Sequence, residues 1–170
     1  MNATEVLDAV RRKYPRCALV PEVVIDIDNH DALTYWRHLV IREMSAEDQR
    51  RTPPKPAQYR RIDALMFDGP QRTAIEVKVS LADMRRESWE KVSPWLNVTH
   101  RFVYVVPAGL IDNGHGIPVH CAGLWWVHPD GRIEVRRKAQ VRKYPEELPR
   151  QVVTALAYRA AGVKLIEGEQ

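Results

Sequence analysis

Asp63, Glu76 and Lys78 are the residues of this 170-residue chain whose types and spacing can do chemistry together. They lie on two apolar segments, Arg61-Ile62-Asp63-Ala64-Leu65-Met66-Phe67 and Arg72 to Ser80, separated by Asp68-Gly69-Pro70-Gln71. Both segments alternate with period two, and Asp-Gly followed by Pro is strong turn chemistry, so the stretch reads as a β-hairpin. Alternation across a strand puts Arg61, Asp63, Leu65 and Phe67 on one face of the first strand, and Ala74, Glu76 and Lys78 on one face of the second. A four-residue loop over 68–71 pairs Phe67 with Arg72, and counting back sets Asp63 opposite Glu76. Directly opposed residues have Cβ atoms about 5 Å apart, so two carboxylates placed this way repel. A divalent cation shared by both removes the repulsion, and hard oxygen donors suit Mg²⁺ or Mn²⁺. Lys78, two residues beyond Glu76, adds one positive charge on the same face.

The elements that must hold this hairpin follow from periodicity. Residues 2–14 read as a helix, with Asn2 as cap, Glu5 completing a capping box, and Ala3, Val6, Leu7, Val10 and Tyr14 as the apolar stripe. Residues 18–28 read as a strand with Val23, Ile25 and Ile27 on one face and Glu22, Val24 and Asp26 on the other. From Asp31 to about Arg50 a helix carries Leu33, Trp36, Val40 and Met44 along one side, followed by the stiff Pro-rich stretch before the hairpin. That segment is either an arm over nucleic acid or a packed accessory helix. Ser80 caps a second helix with Asp83 at its third position, Leu81, Met84 and Val92 forming its buried stripe, Trp89 in the core and Pro94 ending it. Arg101 to Pro107 is an apolar run that reads as a buried strand reached by a crossover. Gly123 to Val127 and Arg132 to Val135 form a second hairpin around Pro129-Asp130-Gly131, and Pro145 to Ala161 a last helix ended by Gly162. The expected fold is α/β, one mixed sheet of about five or six strands flanked by helices, in a single domain over 1–170.

Composition bounds the partners. A net charge of +4 leans towards an anionic partner, and the basic residues cluster, as in Arg60-Arg61, Arg85-Arg86 and Arg136-Arg137-Lys138. Arg60, Arg61, Arg85 and Lys91 are the candidate DNA contacts; each cluster taken singly also fits a solvated charged surface. Cys17 and Cys121 lie far apart without a CxxC, which suits a reducing compartment rather than a disulfide scaffold. His115, His120, Cys121 and His128 fit no standard zinc spacing. Without an apolar leader or a membrane-length run, the expectation is a soluble, cytoplasmic protein with no membrane partner.

The Asp-x(12)-Glu-x-Lys constellation on a hairpin resembles the core of the PD-(D/E)XK nuclease superfamily. Glu76-Val77-Lys78-Val79-Ser80 followed by Asp83 is similar to the archaeal-type Holliday junction resolvases. The wider pattern of Glu22, Arg61-Ile62-Asp63, Glu76 to Ser80, Ala82-Asp83, Trp89 and Phe102 to Pro107 looks more like the RecB-like, MmcB-type DNA repair nucleases. The likeness covers most of the chain except an insertion at about residues 29–57. It implies a restriction-endonuclease-like fold and a DNA nuclease of repair, recombination or replication that leaves a 5′-phosphate. In that reading Asp63, Glu76 and the Val77 carbonyl hold Mg²⁺ or Mn²⁺, and Lys78 orients or deprotonates the attacking water and stabilises growing charge. The likeness places Glu22 near the metal as a third carboxylate, whereas its position alone equally suits an edge-strand charge. Resolvases act as dimers, so a homodimer is allowed, although no dimer face is identifiable. The competing reading is a non-catalytic DNA-binding or assembly protein on a nuclease-like fold. A further one is a structural domain in which Asp63 and Glu76 only pair with Lys78 and Arg61.

Overall fold

The structure, a computed structural model, describes residues 1–26, 59–112 and 117–162. The expected arm or accessory helix at 29–57 and His115 lie outside the described residues. In chain order the described elements are α1 (Ala3–Lys13), β1 (Ala18–Asp26), β2 (Tyr59–Asp68), β3 (Gln71–Val77), α2 (Leu81–Arg85), α3 (Trp89–Val98), β4 (Arg101–Pro107), β5 (Gly123–Val127), β6 (Ile133–Arg137) and α4 (Arg150–Ala160). The six strands form one sheet in the order β1-β2-β3-β4-β5-β6. β2 and β3 are antiparallel, β3–β4 and β4–β5 parallel, and β5–β6 antiparallel. A mixed α/β fold was therefore legible in advance. The chain divides into two compact units, Met1–Val23 with Arg61–Glu147, and Val24–Arg60 with Leu148–Gln170. The chemistry-bearing hairpin belongs to the first.

Alternation along the strands builds the core. Ala64, Met66, Ile75, Val77, Val103, Val105, Trp125, Val127 and Ile133 point to one face and pack with Val6, Ala9 and Val10 of α1. The capping box fixes where α1 starts. The Asn2 side chain accepts the Glu5 N–H at 2.9 Å, and the Glu5 carboxylate accepts the Asn2 N–H at 2.8 Å. Burying each large apolar side chain on this face contributes about 1.5–3 kcal/mol, enough to fix the register, because a one-residue slip would turn the whole set to the other face. That other face carries Asp63, Leu65, Glu76, Phe102, Tyr104 and Leu124, by the same alternation.

Five local readings change. The β2–β3 turn is tighter than a four-residue loop: Asp68 pairs with Gln71, and Gly69 takes φ 54 at the first turn position. Glycine is favoured at a positive φ there, and Phe67 still pairs with Arg72, so the register is unaffected. The helix after Ser80 is two helices, and Pro94 lies inside the second instead of ending the first. The chain leaves α2 where Glu87 is drawn onto Lys78, while the Lys91 ammonium donates to the Arg86 carbonyl at the open helix end. Pro94 forgoes one helical hydrogen bond, and the full burial of Trp95, with Val92 and Val98, offsets it. Leu81 and Trp89, expected in the core, are exposed, and Trp95 fills the position assigned to Trp89.

The final helix begins at Arg150, not Pro145. Leu148 precedes Pro149 and is biased out of the helical region, while the Glu146 main chain bonds the Asn97 carbonyl and the Arg72 guanidinium. The last strand runs from Ile133 to Arg137 because Arg132 closes the preceding turn: its N–H donates to Asp130, and Gly131 takes φ 82.

Candidate functional site

The hairpin register brings the two acids to the end of the β2–β3 ladder. Paired residues run to Ala64↔Ile75, so Asp63 and Glu76 come next on facing strands. Asp63 closes the ladder with its side chain, its Oδ2 accepting the Val77 N–H at 2.7 Å. Burial raises the Asp63 pKa, opposed in part by the Val77 N–H and by Lys78 and Arg61. Glu76 is pushed up to about 7, first by burial and then by Asp63, with Lys78 acting against both.

Lys78 sits at the centre of the acids. Its Nζ donates to Glu76 Oε1 at 2.7 Å, lies 2.8 Å from Glu87 Oε2 and 3.9 Å from Asp83 Oδ2. Its main chain is tied to the neighbouring strand, the Lys78 N–H donating to the Val105 carbonyl at 3.1 Å. Burial alone would lower the lysine pKa, but Glu76 and Glu87 together hold it above the ordinary lysine value. Lys78 is therefore an ammonium throughout the physiological range.

Glu87 was not foreseen. Its side chain is 2% exposed, and the break between α2 and α3 points it inward. The approach to Lys78 is an ion pair rather than an aligned hydrogen bond. One signal was available: Asp83 and Glu87 are four apart after a good cap, which sets them on one helical face. Asp83 also does what its capping position implied, its N–H donating to Ser80 Oγ at 3.1 Å. Tyr104 completes the floor. It pairs with Glu76 across β3–β4, and its hydroxyl is buried without a hydrogen-bond partner among the described residues. Burial, then Glu87 and Glu76, raise its pKa, so it remains a phenol.

Glu22 is exposed at φ 50 with its carboxylate 3.5 Å from Arg61, itself exposed. Arg85 and Lys91 are exposed, and Arg60 donates to the Tyr59 carbonyl. The Val77 N–H is committed to Asp63, and its side chain packs in the α1 core. Cys17 and Cys121 are free thiols, and His128 contacts Glu134 at 2.9 Å.

Glu76 and Glu87 thus pair with one buried ammonium beside Asp63, while Asp83 at the rim also pairs with Arg86 at 3.6 Å. Among the described residues no group of three or more His, Cys, Asp or Glu is arranged to hold a metal ion. Two carboxylates suffice for Mg²⁺, which keeps several waters and takes its other ligands from phosphate oxygens. No protein donor among the described residues reaches Asp63 Oδ1 or Glu76 Oε2. The donor chemistry and the surplus of buried negative charge fit a hard divalent cation.

No protein-family model and no curated protein matches the chain. It is similar to a solved structure described as the SPO1766 protein of unknown function from Silicibacter pomeroyi. The two are 16% identical with a TM-score of 0.54, over 100% of this chain and 96% of the other. At that identity the likeness concerns the fold alone. Among the described residues no helix is long and apolar enough to cross a membrane.

Proposed function

We propose that this chain is a metal-dependent DNA nuclease of the PD-(D/E)XK kind, hydrolysing phosphodiester bonds at Asp63, Glu76 and Lys78. The observation that carries the proposal is the geometry: Asp63 and Glu76 adjoin at the end of the β2–β3 ladder with the buried Lys78 ammonium 2.7 Å from Glu76, and burial pushes both acids' pKa values up. A fold gains no stability from such an arrangement, and perturbed acids grouped around a buried cation mark a site built for a ligand or a reaction.

Asp63 and Glu76 would hold Mg²⁺ or Mn²⁺, which when bound supplies an acidified water and neutralises charge on the phosphate. Lys78 has one role left to it. Held as an ammonium by Glu76 and Glu87, it is a hydrogen-bond donor and a fixed positive charge, which suits orienting water and stabilising the phosphorane-like oxygens, not removing a proton. Glu87 is the positioning residue that keeps it so. Tyr104 supplies a buried neutral donor under the same face.

The test is a panel of linear, nicked, flapped, branched and single-stranded DNA incubated with Mg²⁺, Mn²⁺ or chelator. Cleavage of at least one substrate, dependent on metal and absent in Asp63→Asn, is the expected result. Metal binding with every substrate intact would instead favour the non-catalytic DNA-binding reading.

A further inference from the structure

The sheet face that carries the acids holds a second concavity of opposite character. A cavity of about 310 Å³ opens where Trp89, Asn97, His100, Arg101, Gln140 and Arg142 converge, and no carboxylate lines it among the described residues. Its wall is pinned by main-chain bonds: Arg142 N–H to the His100 carbonyl, and Gln140 N–H to the Cys121 carbonyl, both at 2.9 Å. His100 Nδ1 accepts the Arg72 N–H at 3.0 Å, so the neutral ring carries its proton on Nε2 and is a donor. Trp89 is 56% exposed, a large apolar surface left in water at the cavity edge.

Each feature matches one part of a nucleotide. An exposed indole is a stacking surface for any base, and a guanidinium such as that of Arg142 suits a phosphate. Side-chain amides such as those of Asn97 and Gln140 can both donate to and accept from a base edge. The cavity is also of the size that small ligands occupy. Its position links it to the acids. Phe102 lines the cavity, and Tyr104, two residues on, pairs with Glu76; the two rings meet edge-on with centroids 5.2 Å apart. Phe102 and Tyr104 are themselves buried, and two residues along a strand span about 7 Å, so the cavity and the acids stand about one nucleotide step apart.

We infer that this cavity takes one unpaired nucleotide of the substrate strand, its base on Trp89 and its phosphate on Arg142. The inference rests on the nuclease reading and narrows its substrate to single-stranded or flapped DNA, because a base inside a duplex cannot enter the cavity without being extruded.

The experiment is binding of a labelled single-stranded oligonucleotide to the full chain in EDTA, with blunt duplex and a mononucleotide as competitors. Wild-type protein binds the single strand and a flapped duplex more tightly than blunt duplex or mononucleotide. Trp89→Ala weakens single-strand binding about 5- to 100-fold, the range for losing one stacked base. Trp89→Phe recovers most of it, and Arg142→Glu also weakens binding. Thermal unfolding of Trp89→Ala stays at the wild-type midpoint, since the side chain is exposed. Unchanged single-strand binding by Trp89→Ala overturns the inference, as does equal affinity for mononucleotide or for blunt duplex. Metal is absent, so the nuclease reading fails separately: tight Trp89-dependent binding with no cleavage in Mn²⁺ removes the activity and keeps the cavity.

Discussion

Two charged clusters on the same sheet differ in burial and in sign. Around Lys78 the acids Glu76 and Glu87 pair with one cation under cover, with Asp63 beside them and Asp83 at the rim. Around Glu134, on the β5–β6 hairpin, one half-buried acid is shared by three basic partners: Arg136 at 2.6 Å, His128 at 2.9 Å and the exposed Arg132 at 3.8 Å. The Arg136 guanidinium also stacks 4.3 Å from the centre of the Trp126 ring. The hydrogen bonds from Arg136 and His128 hold the Glu134 carboxyl below the usual carboxylate value, whereas burial and Asp63 lift Glu76 to about 7. The same residue types therefore make an ordinary surface network in one place and an uncompensated acidic pocket in the other. What separates them is whether water and countercharge can relax the group, and only the pocket retains a demand that a bound cation would meet.

The comparison breaks first at activity. Asp63→Asn or Glu76→Gln is expected to lower metal-dependent cleavage by at least about 10²–10³-fold while the protein stays folded. Gel assays on enzyme purified free of host nuclease, paired with circular dichroism, check this. Cleavage at wild-type rate by either variant would reduce the pocket to a structural network like the one around Glu134.

The next effect is on stability and sharpens the role of Glu87. Lys78→Met strands a buried carboxylate and should cost about 3–5 kcal/mol in denaturant unfolding. Adding Glu87→Leu should restore most of that loss without restoring cleavage, since a buried pair can be replaced by packed apolar side chains at little cost. An additive double variant would show that Lys78 and Glu87 are not coupled.

A smaller effect concerns pH. Glu76 binds its proton more tightly when folded, so between the ordinary carboxylate pKa and about 7 the folded state holds more protons than the unfolded one. Stability from this group is present at low pH and falls as pH rises through that window. Without metal, the wild-type melting temperature should decline between pH 5 and 7.5, with a flatter profile in Glu76→Gln, by differential scanning fluorimetry. Mn²⁺ should raise the melting temperature more at pH 7.5 than at pH 5. The smallest effect is at the other cluster: Glu134→Gln should leave both melting temperature and cleavage unchanged.

Much of the fold was legible because its signals are local. Period-two alternation fixed the β2–β3 register, and with it the neighbouring positions of Asp63 and Glu76, because Asp-Gly-Pro admits few turns. The capping box at Asn2 and the cap at Ser80 were likewise read from adjacent residues. What failed depended on tertiary partners. Glu87 carries no sequence signal of its pairing with Lys78, which depends on the break between α2 and α3. Trp89 and Trp95 are both aromatic residues of one segment, and only that break decides which is buried. Pro149 was a local signal that the expected span overrode. The basic cavity at Trp89 joins residues from α3, β4 and the stretch after β6, a convergence that no sequence spacing announces.

The central claim is that Asp63 and Glu76 share a divalent cation beside a permanently charged Lys78. Calorimetric titration of Mn²⁺ into the protein at pH 7.5 tests it most directly. Saturable binding in wild type that disappears in Asp63→Asn and in Glu76→Gln is the predicted result. No binding in wild type, or binding indifferent to both substitutions, would contradict it.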